Sequence, residues 1–266
     1  MIDFISKSRY GFEDLVRLVE LLRAPGGCPW DGAQTHLSVR RNFLEEAYEA
    51  CEGFDRDDPK LMCEELGDAM LQTVFHADIE REAGRFTVED VLDGITDKLI
   101  HRHPHVFGDV KADTSEKVLD NWDKIKKKEK GRDSTTASMK SIPPALPALM
   151  RAQKIGKYAA KAGFDFPDAE SAFGKIHEET AEVAELIGGD DRDRLEEELG
   201  DLLFAVVNVC RKTGIDAEYA LGRANEKFLR RFSHVEDDVC ASGKKISDLE
   251  METLDSIWDW NKASER

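Results

Sequence analysis

The residues best placed to do chemistry in this chain are carboxylates set at helical spacing. Residues 43–52 read Phe-Leu-Glu-Glu-Ala-Tyr-Glu-Ala-Cys-Glu, and residues 64–68 read Glu-Glu-Leu-Gly-Asp. Both patterns return 133 residues later, as Ile-His-Glu-Glu-Thr-Ala-Glu-Val-Ala-Glu over 176–185 and Glu-Glu-Leu-Gly-Asp over 197–201. Side chains three or four apart share a helix face, so Glu179 projects with Glu182, and Glu198 with Asp201. Gly188-Gly189-Asp190-Asp191 stops one helix and turns the chain, so that the two helices fold back antiparallel and four carboxylates converge. Asp55 to Pro59 plays the same part in the first copy, bringing Glu46 and Glu49 towards Glu65 and Asp68. A lone Glu-Glu-x-x-Glu is an ordinary solvated helix face. Paired acidic motifs in two copies, each interrupted by apolar residues that commit the other face to a core, point instead to a site. Such a cluster repels itself unless cations fill it, and oxygen ligands without Cys or His favour Mg²⁺, with Mn²⁺ as a substitute, over zinc. A di-iron bundle would need Glu-x-x-His, and no Glu in this chain stands three before a His.

The elements that must hold these groups are helices. Apolar residues recur at helical spacing in Phe12, Leu15, Val16, Val19 and Leu22, in Leu61, Leu66, Met70, Val74 and Ala77, and in Val91, Ile95 and Leu99. Alternating strand patterns are nearly missing, which predicts an all-α fold. The 266 residues suit two domains, each large enough for its own core. Lys, then Ser and Thr, then Pro143, Pro144 and Pro147 mark a junction. The expected division is a first domain over 1–130, a linker over 131–147 and a second domain over 148–266. Duplication extends beyond the acidic motifs: Lys98, Arg102 and His105 match Lys227, Arg231 and His234, and each half closes with Trp-Asp-x-x-Lys, at Trp122 to Lys126 and Trp258 to Lys262. His101-Arg102-His103-Pro104-His105 looks like a metal cluster, but only His105 keeps a His in the second copy, so it reads as a basic helix end stopped by Pro104.

Charge narrows the partners. With 55 acidic against 38 basic residues and a formal net charge of −17, the chain repels a phosphate backbone at long range, so nucleic acid is not an expected partner. A small anionic substrate is still admissible where cations and a few Lys or Arg reverse the local field. Met1 to Leu15 show no signal-peptide core, and the longest strongly apolar run, Leu202 to Cys210, is far short of a membrane span. Five cysteines without paired metal-binding spacing suit free thiols, so a cytoplasmic location away from membranes is expected. Apolar residues Leu202, Phe204, Val206 and Val207 need more partners than one half supplies, which predicts a homodimer.

At these motifs the chain resembles the MazG nucleoside triphosphate pyrophosphohydrolases, marked by Glu-Glu-x-x-Glu followed by Glu-x-x-Asp. The resemblance takes in Cys28-Pro29-Trp30-Asp31, Gln34-Thr35 and Gly163-Phe164-Asp165, and points to the tandem-domain form. It implies two helical bundles, a homodimer with bundles completed between subunits, and hydrolysis of nucleoside triphosphates to monophosphate and pyrophosphate, as in nucleotide-pool housecleaning. It also implies Glu179, Glu182, Glu198 and Asp201 as magnesium ligands, with Glu46, Glu49, Glu65 and Asp68 as a second set, and catalysis in the later copy. Magnesium would screen the phosphates and acidify a water attacking the α-phosphorus, with Glu178 a candidate to orient or deprotonate that water. Lys175, Lys227 and Arg231 are candidates to hold phosphate oxygens and Trp258 to stack on the base. The second copy also has Lys175, Asn225 and Arg230 where the first has Asn42, Thr96 and His101, which favours triphosphate binding by the second half. The alternatives are a non-catalytic Mg-nucleotide sensor or regulatory binding protein, and a purely structural helical scaffold.

Overall fold

The computed structural model describes residues 4–129 and 134–264, and every regular element among them is helical. The chain divides after Lys126 into two compact units. The first holds α1 (Phe12–Arg23), α2 (Pro29–Gly32), α3 (His36–Arg56), α4 (Pro59–Glu82), α5 (Val88–Arg102), α6 (Pro104–Phe107) and most of α7 (Ser115–Glu129). The second holds α8 (Thr135–Lys140), α9 (Ala148–Lys161), α10 (Ala169–Leu186), α11 (Arg192–Lys212), α12 (Ala217–Ala241) and α13 (Met251–Ser264).

Short acidic or hydroxyl side chains set where the paired helices begin. Thr35 accepts from the Ser38 N–H at the start of α3, and Asp58 accepts from the Lys60 and Leu61 N–H groups at the start of α4, where Pro59 occupies the first turn. Asp168 and Asp191 do the same for α10 and α11, accepting from Ser171 and Arg194. Between α3 and α4 the turn is tight enough to hold Asp57 at φ 50°, in the left-handed region. Gly53 is needed beside it, because a Cβ there would lie 3.0 Å from the Met62 nitrogen on α4. The helix pairs α3/α4 and α10/α11 are thus closely joined antiparallel hairpins, as the acidic motifs and turns predict.

The stretch expected to be linker is only partly so. Residues 131–133 lie outside the described residues, as do the side chains of Asp123 and Lys126 in the first closing motif. Residues 135–140 are the helix α8, which packs against α9 and buries Ser138; Ile142 beyond it is buried too. The Ser and Thr that suggest a loop serve the helix instead: Ser134 accepts from the Ala137 N–H at its start, and Ser138 back-bonds to the Ser134 carbonyl.

In the first unit Val19 of α1, Val39 of α3, Val74, Phe75 and Ala77 of α4 and Val88 of α5 form one apolar core. Into it reaches an ion pair. Arg23 of α1 donates to Asp78 of α4 at 2.9 Å, and these side chains are 2% and 4% exposed. Position 78 corresponds by the repeat offset to Arg211 of α11, and there the polarity is reversed: Arg211 donates to Asp165, just beyond α9. In each unit one cation and one anion, on opposite sides, tie the second helix of the acidic hairpin to another segment, which is α1 in the first unit and the chain just beyond α9 in the second; the first pair is buried, whereas Asp165 is 26% exposed.

Leaving one member of such a pair unmatched is expensive. Arg23→Leu should lower the unfolding free energy by about 3 kcal/mol, since Asp78 would keep only Arg81 beside it, whereas Arg23→Leu with Asp78→Leu should recover most of that loss. Urea unfolding of both variants against the parent checks this, and equal losses would count against a role for the pair in the core.

Candidate active site between the paired carboxylate helices

On α10 and α11, Glu179, Glu182 and Glu198 each place a carboxylate oxygen within 4.8 Å of the others; on α3 and α4, Glu46, Glu49 and Glu65 do the same. The predicted convergence of the two acidic helices is therefore present in both units, with three carboxylates rather than four in the tight group. The shorter Asp201 faces a neighbouring cavity that it shares with Glu179, and Asp68 lies close enough for its charge to act on Glu46 and Glu65.

The cost of assembling these groups is visible in their proton affinities. The hydrogen bond shared with Glu182, then burial, then the Glu182 charge push the Glu198 carboxyl above its usual range, against a small opposing effect of Arg194 at 3.9 Å. In the first unit, burial followed by the charges of Asp68, Glu49 and Glu65 raises Glu46, and burial followed by Glu49 and Asp68 raises Glu65. Such a set fits a hard divalent cation: the donors are all oxygens, close together, and better satisfied by a positive charge than by one another. Lys175 meets part of that need in the second unit. Its ammonium donates to Glu179 at 2.8 Å and to Glu178 at 2.9 Å, and these bonds hold its pKa above the ordinary lysine value.

Beside the second cluster lies a cavity of about 770 Å³, walled by Ile155, Phe164, Phe166 and Phe204, with Lys175, Glu179 and Asp201 along one part of its lining and Asn208 and Arg211 along another. Gly156 makes room for it, since a Cβ there would sit 2.9 Å from Arg211 Nε. The repeat equivalents of Ala205, Asn208 and Arg211 in the first unit are Gln72, Phe75 and Asp78. All three are buried, with Phe75 in the core and the Arg23 guanidinium 4.8 Å from its ring centroid. At these three positions the cavity lining of the second unit corresponds to buried residues in the first.

The structure brings together Lys175, Glu178, Glu179, Glu182, Glu198 and Asp201. Asn225, Lys227 and Arg231 stand on α12 and Trp258 on α13, and none of the four lines the cavity. Trp258 packs on Phe228, ring centroids 5.2 Å apart. Of the apolar residues expected to need a partner, Val207 is buried inside its own unit, while Phe204 and Val206 are exposed. Pro104 does stop α5, and opens the short α6. Asn208 and Arg211, which line the cavity, carry no motif; the one sequence signal near them is Gly163-Phe164-Asp165, whose Asp165 holds Arg211.

An all-helical chain that gathers glutamates from two antiparallel helices into one cluster of oxygens, next to a cavity lined by aromatic rings with a lysine at its border, defines a class of helical proteins with a paired-carboxylate site. Comparison with known proteins gives the class a name. Residues 34–107 and 168–236 match the MazG nucleotide pyrophosphohydrolase domain, and the chain belongs to that family. It is 43% identical over 254 residues to a Thermotoga maritima protein named nucleoside triphosphate pyrophosphohydrolase/pyrophosphatase MazG, covering 96% of each chain. It is equally similar, at 43% over 254 residues, to the nucleoside triphosphate pyrophosphohydrolase of Escherichia coli strain K12, with 94% of this chain and 97% of that one covered. An uncharacterized Bacillus subtilis protein, YabN, is 43% identical over 256 residues, spanning 96% of this chain and 52% of YabN.

A raised carboxyl pKa has a definite consequence for stability. The unfolded chain ionises first as pH rises, so stability is lost from the ordinary carboxylate range up to the raised folded value and stays lost above it. Glu198→Gln should therefore melt a few degrees above the parent in EDTA at neutral pH, with the gap closing towards pH 4. Excess Mg²⁺ should stabilise the parent more than the variant, because ligand binding raises the melting temperature of the form that binds. Thermal melts at both pH values, with and without Mg²⁺, check both expectations.

Proposed function

We propose that the protein hydrolyses nucleoside triphosphates, ribo- or deoxy-, to nucleoside monophosphate and pyrophosphate, and serves in clearing the nucleotide pool. The observation that carries this reading is the junction of the second-unit cluster with the cavity: Glu179 belongs to both, and Lys175 and Asp201 line the cavity beside it. A triphosphate laid across that junction has its phosphates at the carboxylates and its nucleoside among Phe164, Phe166 and Phe204. Family membership and the names of the Thermotoga and Escherichia relatives support the same activity.

In this reading Glu179, Glu182, Glu198 and Asp201 hold Mg²⁺, or Mn²⁺ in its place. When bound, the cation neutralises phosphate charge and acidifies a water. The protein's own groups do the rest. Lys175, whose ammonium bonds Glu178 and Glu179, would be free to meet a phosphate oxygen as a point charge where those carboxylates were balanced by a bound cation. Glu178, one residue from a ligand, then loses its lysine partner and can accept a proton from the attacking water. The rings of Phe164, Phe166 and Phe204 offer the nucleoside an apolar surface to pack on, which positions the α-phosphorus relative to the carboxylates. Lys227, Arg231, Asn225 and Trp258 require a different route to the substrate. The α12 face carries exposed Leu221, Phe228, Leu229 and Phe232, and a second copy covering it supports a homodimer in which those residues approach a site.

The first unit keeps Glu46, Glu49, Glu65 and Asp68 but has Asn42 in place of Lys175 and core residues in place of the cavity lining, so we assign it metal binding without turnover. Products are the first test: NMP and pyrophosphate, with activity abolished by EDTA, are expected, and release of NDP and orthophosphate would overturn the assignment. Glu182→Gln and Asp201→Asn should each lower kcat by two or more orders of magnitude, on the order of 10²-fold or greater, under saturating Mg²⁺. Glu49→Gln and Asp68→Asn should cost much less. Equal losses from both pairs would mean that the units share the work. Light scattering should give a dimer mass at micromolar concentration, and a monomer would remove the proposed role for α12.

A further inference from the structure

Asn208 lies on the cavity wall, is not a carboxylate ligand, and is held one way round. Its Oδ1 accepts from Arg211 Nε at 3.3 Å and from Arg211 Nη2 at 3.2 Å. Arg211 is in turn fixed by Asp165, which accepts from Nη1 at 3.3 Å and from Nη2, and by the close approach of Gly156. A guanidinium offers only donors, so the Asn208 atom facing it must be the carbonyl oxygen, and Nδ2 takes the other side. One Nδ2 hydrogen goes to the Phe204 carbonyl at 3.3 Å. The second has no partner among the described residues, and the residue that carries it lines the cavity.

We propose that Asn208 is a specificity-determining residue: its remaining amide hydrogen donates to the exocyclic oxygen at C6 of a purine or C4 of a pyrimidine, so the site favours bases with a carbonyl there (guanine, uracil, thymine) over those with an amino group there (adenine, cytosine). Arg211 and Asp165 are positioning residues that fix which end of the amide is presented. The proposal rests on the reading of the cavity as the nucleoside pocket. The chemistry is that of complementary edges: a fixed donor meets the O6 of guanine or O4 of uracil, whereas the amino group of adenine or cytosine sets donor against donor. A polar group placed to bond the ligand discriminates more sharply than an apolar wall, because the wrong ligand leaves it unpaired. The first unit has Phe75 at this position, buried in its core, so the donor belongs to the second unit alone.

Asn208→Asp tests this, because the carboxylate still accepts from Arg211 while the donor is gone. The intact protein with Mg²⁺ would be assayed with GTP, UTP, ATP and CTP, and titrated calorimetrically with the four monophosphates. Inorganic tripolyphosphate, as substrate or inhibitor, is the base-free probe. The parent is expected to favour GTP and UTP over ATP and CTP by about tenfold in kcat/KM. The variant should lose about tenfold in KM for GTP and UTP, with kcat within about twofold, and should shift its preference towards ATP and CTP. Tripolyphosphate should be handled alike by both proteins. Arg211→Met, which frees the amide to turn over, should flatten the ratio of GTP to ATP in kcat/KM, a ratio from which any general loss of activity caused by the missing ion pair with Asp165 cancels. The same base order in parent and Asn208→Asp would overturn the proposal while leaving the hydrolase reading intact, and an equal loss towards tripolyphosphate would overturn it in favour of a structural role. If the parent turns over no triphosphate yet its monophosphate binding follows Asn208 as described, the hydrolase reading falls and this one stands. If no nucleotide binds, both fall.

Discussion

Repulsion between carboxylates is the constraint from which the rest of this structure follows. Glu179, Glu182 and Glu198 come within 4.8 Å of one another without collapsing the hairpin, because two long helices fix their backbones and both helices are anchored elsewhere. The anchors are capping aspartates at the start of each helix and, for α11, an ion pair to the chain just beyond α9. The mutual repulsion shows in the raised proton affinity of Glu198 and in the bonds that Lys175 makes to Glu178 and Glu179. A scaffold that holds these carboxylates together, with Lys175 and Arg194 as the charges that face them, presents preorganised oxygen donors to a ligand.

The two units show the same solution used to different ends. Both keep the acidic hairpin, down to a glutamate triad with the same tight spacing. They differ one helix turn further along α4 and α11. There the first unit commits Gln72, Phe75 and Asp78 to its core, while the second has Ala205, Asn208 and Arg211 on the wall of a cavity. A small Ala and a polar Asn leave space where a phenyl ring fills it. Residues of the same repeat position thus serve the buried interior in one unit and a cavity wall in the other.

Much of this is legible in the sequence because it is local. Carboxylate spacing, the Gly188-Gly189-Asp190-Asp191 turn, Pro104 and the repeat itself depend only on residues a few positions apart, and the helices form where those patterns place them. What sequence does not reveal is contact between distant segments. Nothing in the α11 periodicity marks Asn208 as a pocket residue, because its environment comes from α9 and from Phe164 and Phe166 beyond it. Ser134 to Ile142 look like linker by composition, yet docking onto α9 makes them helix and buried surface, a tertiary effect that outweighs propensity. Val207 is part of the same apolar stripe as Phe204 and Val206, but only the helix azimuth decides that it turns inward while they stay exposed. Likewise Asp201 follows its motif into the right helix, and its shorter reach places it at the cavity rather than in the triad.

The reversed ion pair also bears on how a duplicated chain avoids confusing its own halves. Two units with matching hairpins and matching apolar faces offer each first helix a wrong partner as well as a right one, a recognised hazard for repeats during folding. Here the wrong choice is electrostatically marked. α1 laid against α11 would set Arg23 on Arg211, and the segment after α9 laid against α4 would set Asp165 on Asp78, each a like-charge contact. The right choices pair Arg23 with Asp78 and Asp165 with Arg211. The polarity of one buried pair thus works as an address, carried in the sequence of each half, that sorts the segments of a self-similar protein as they fold.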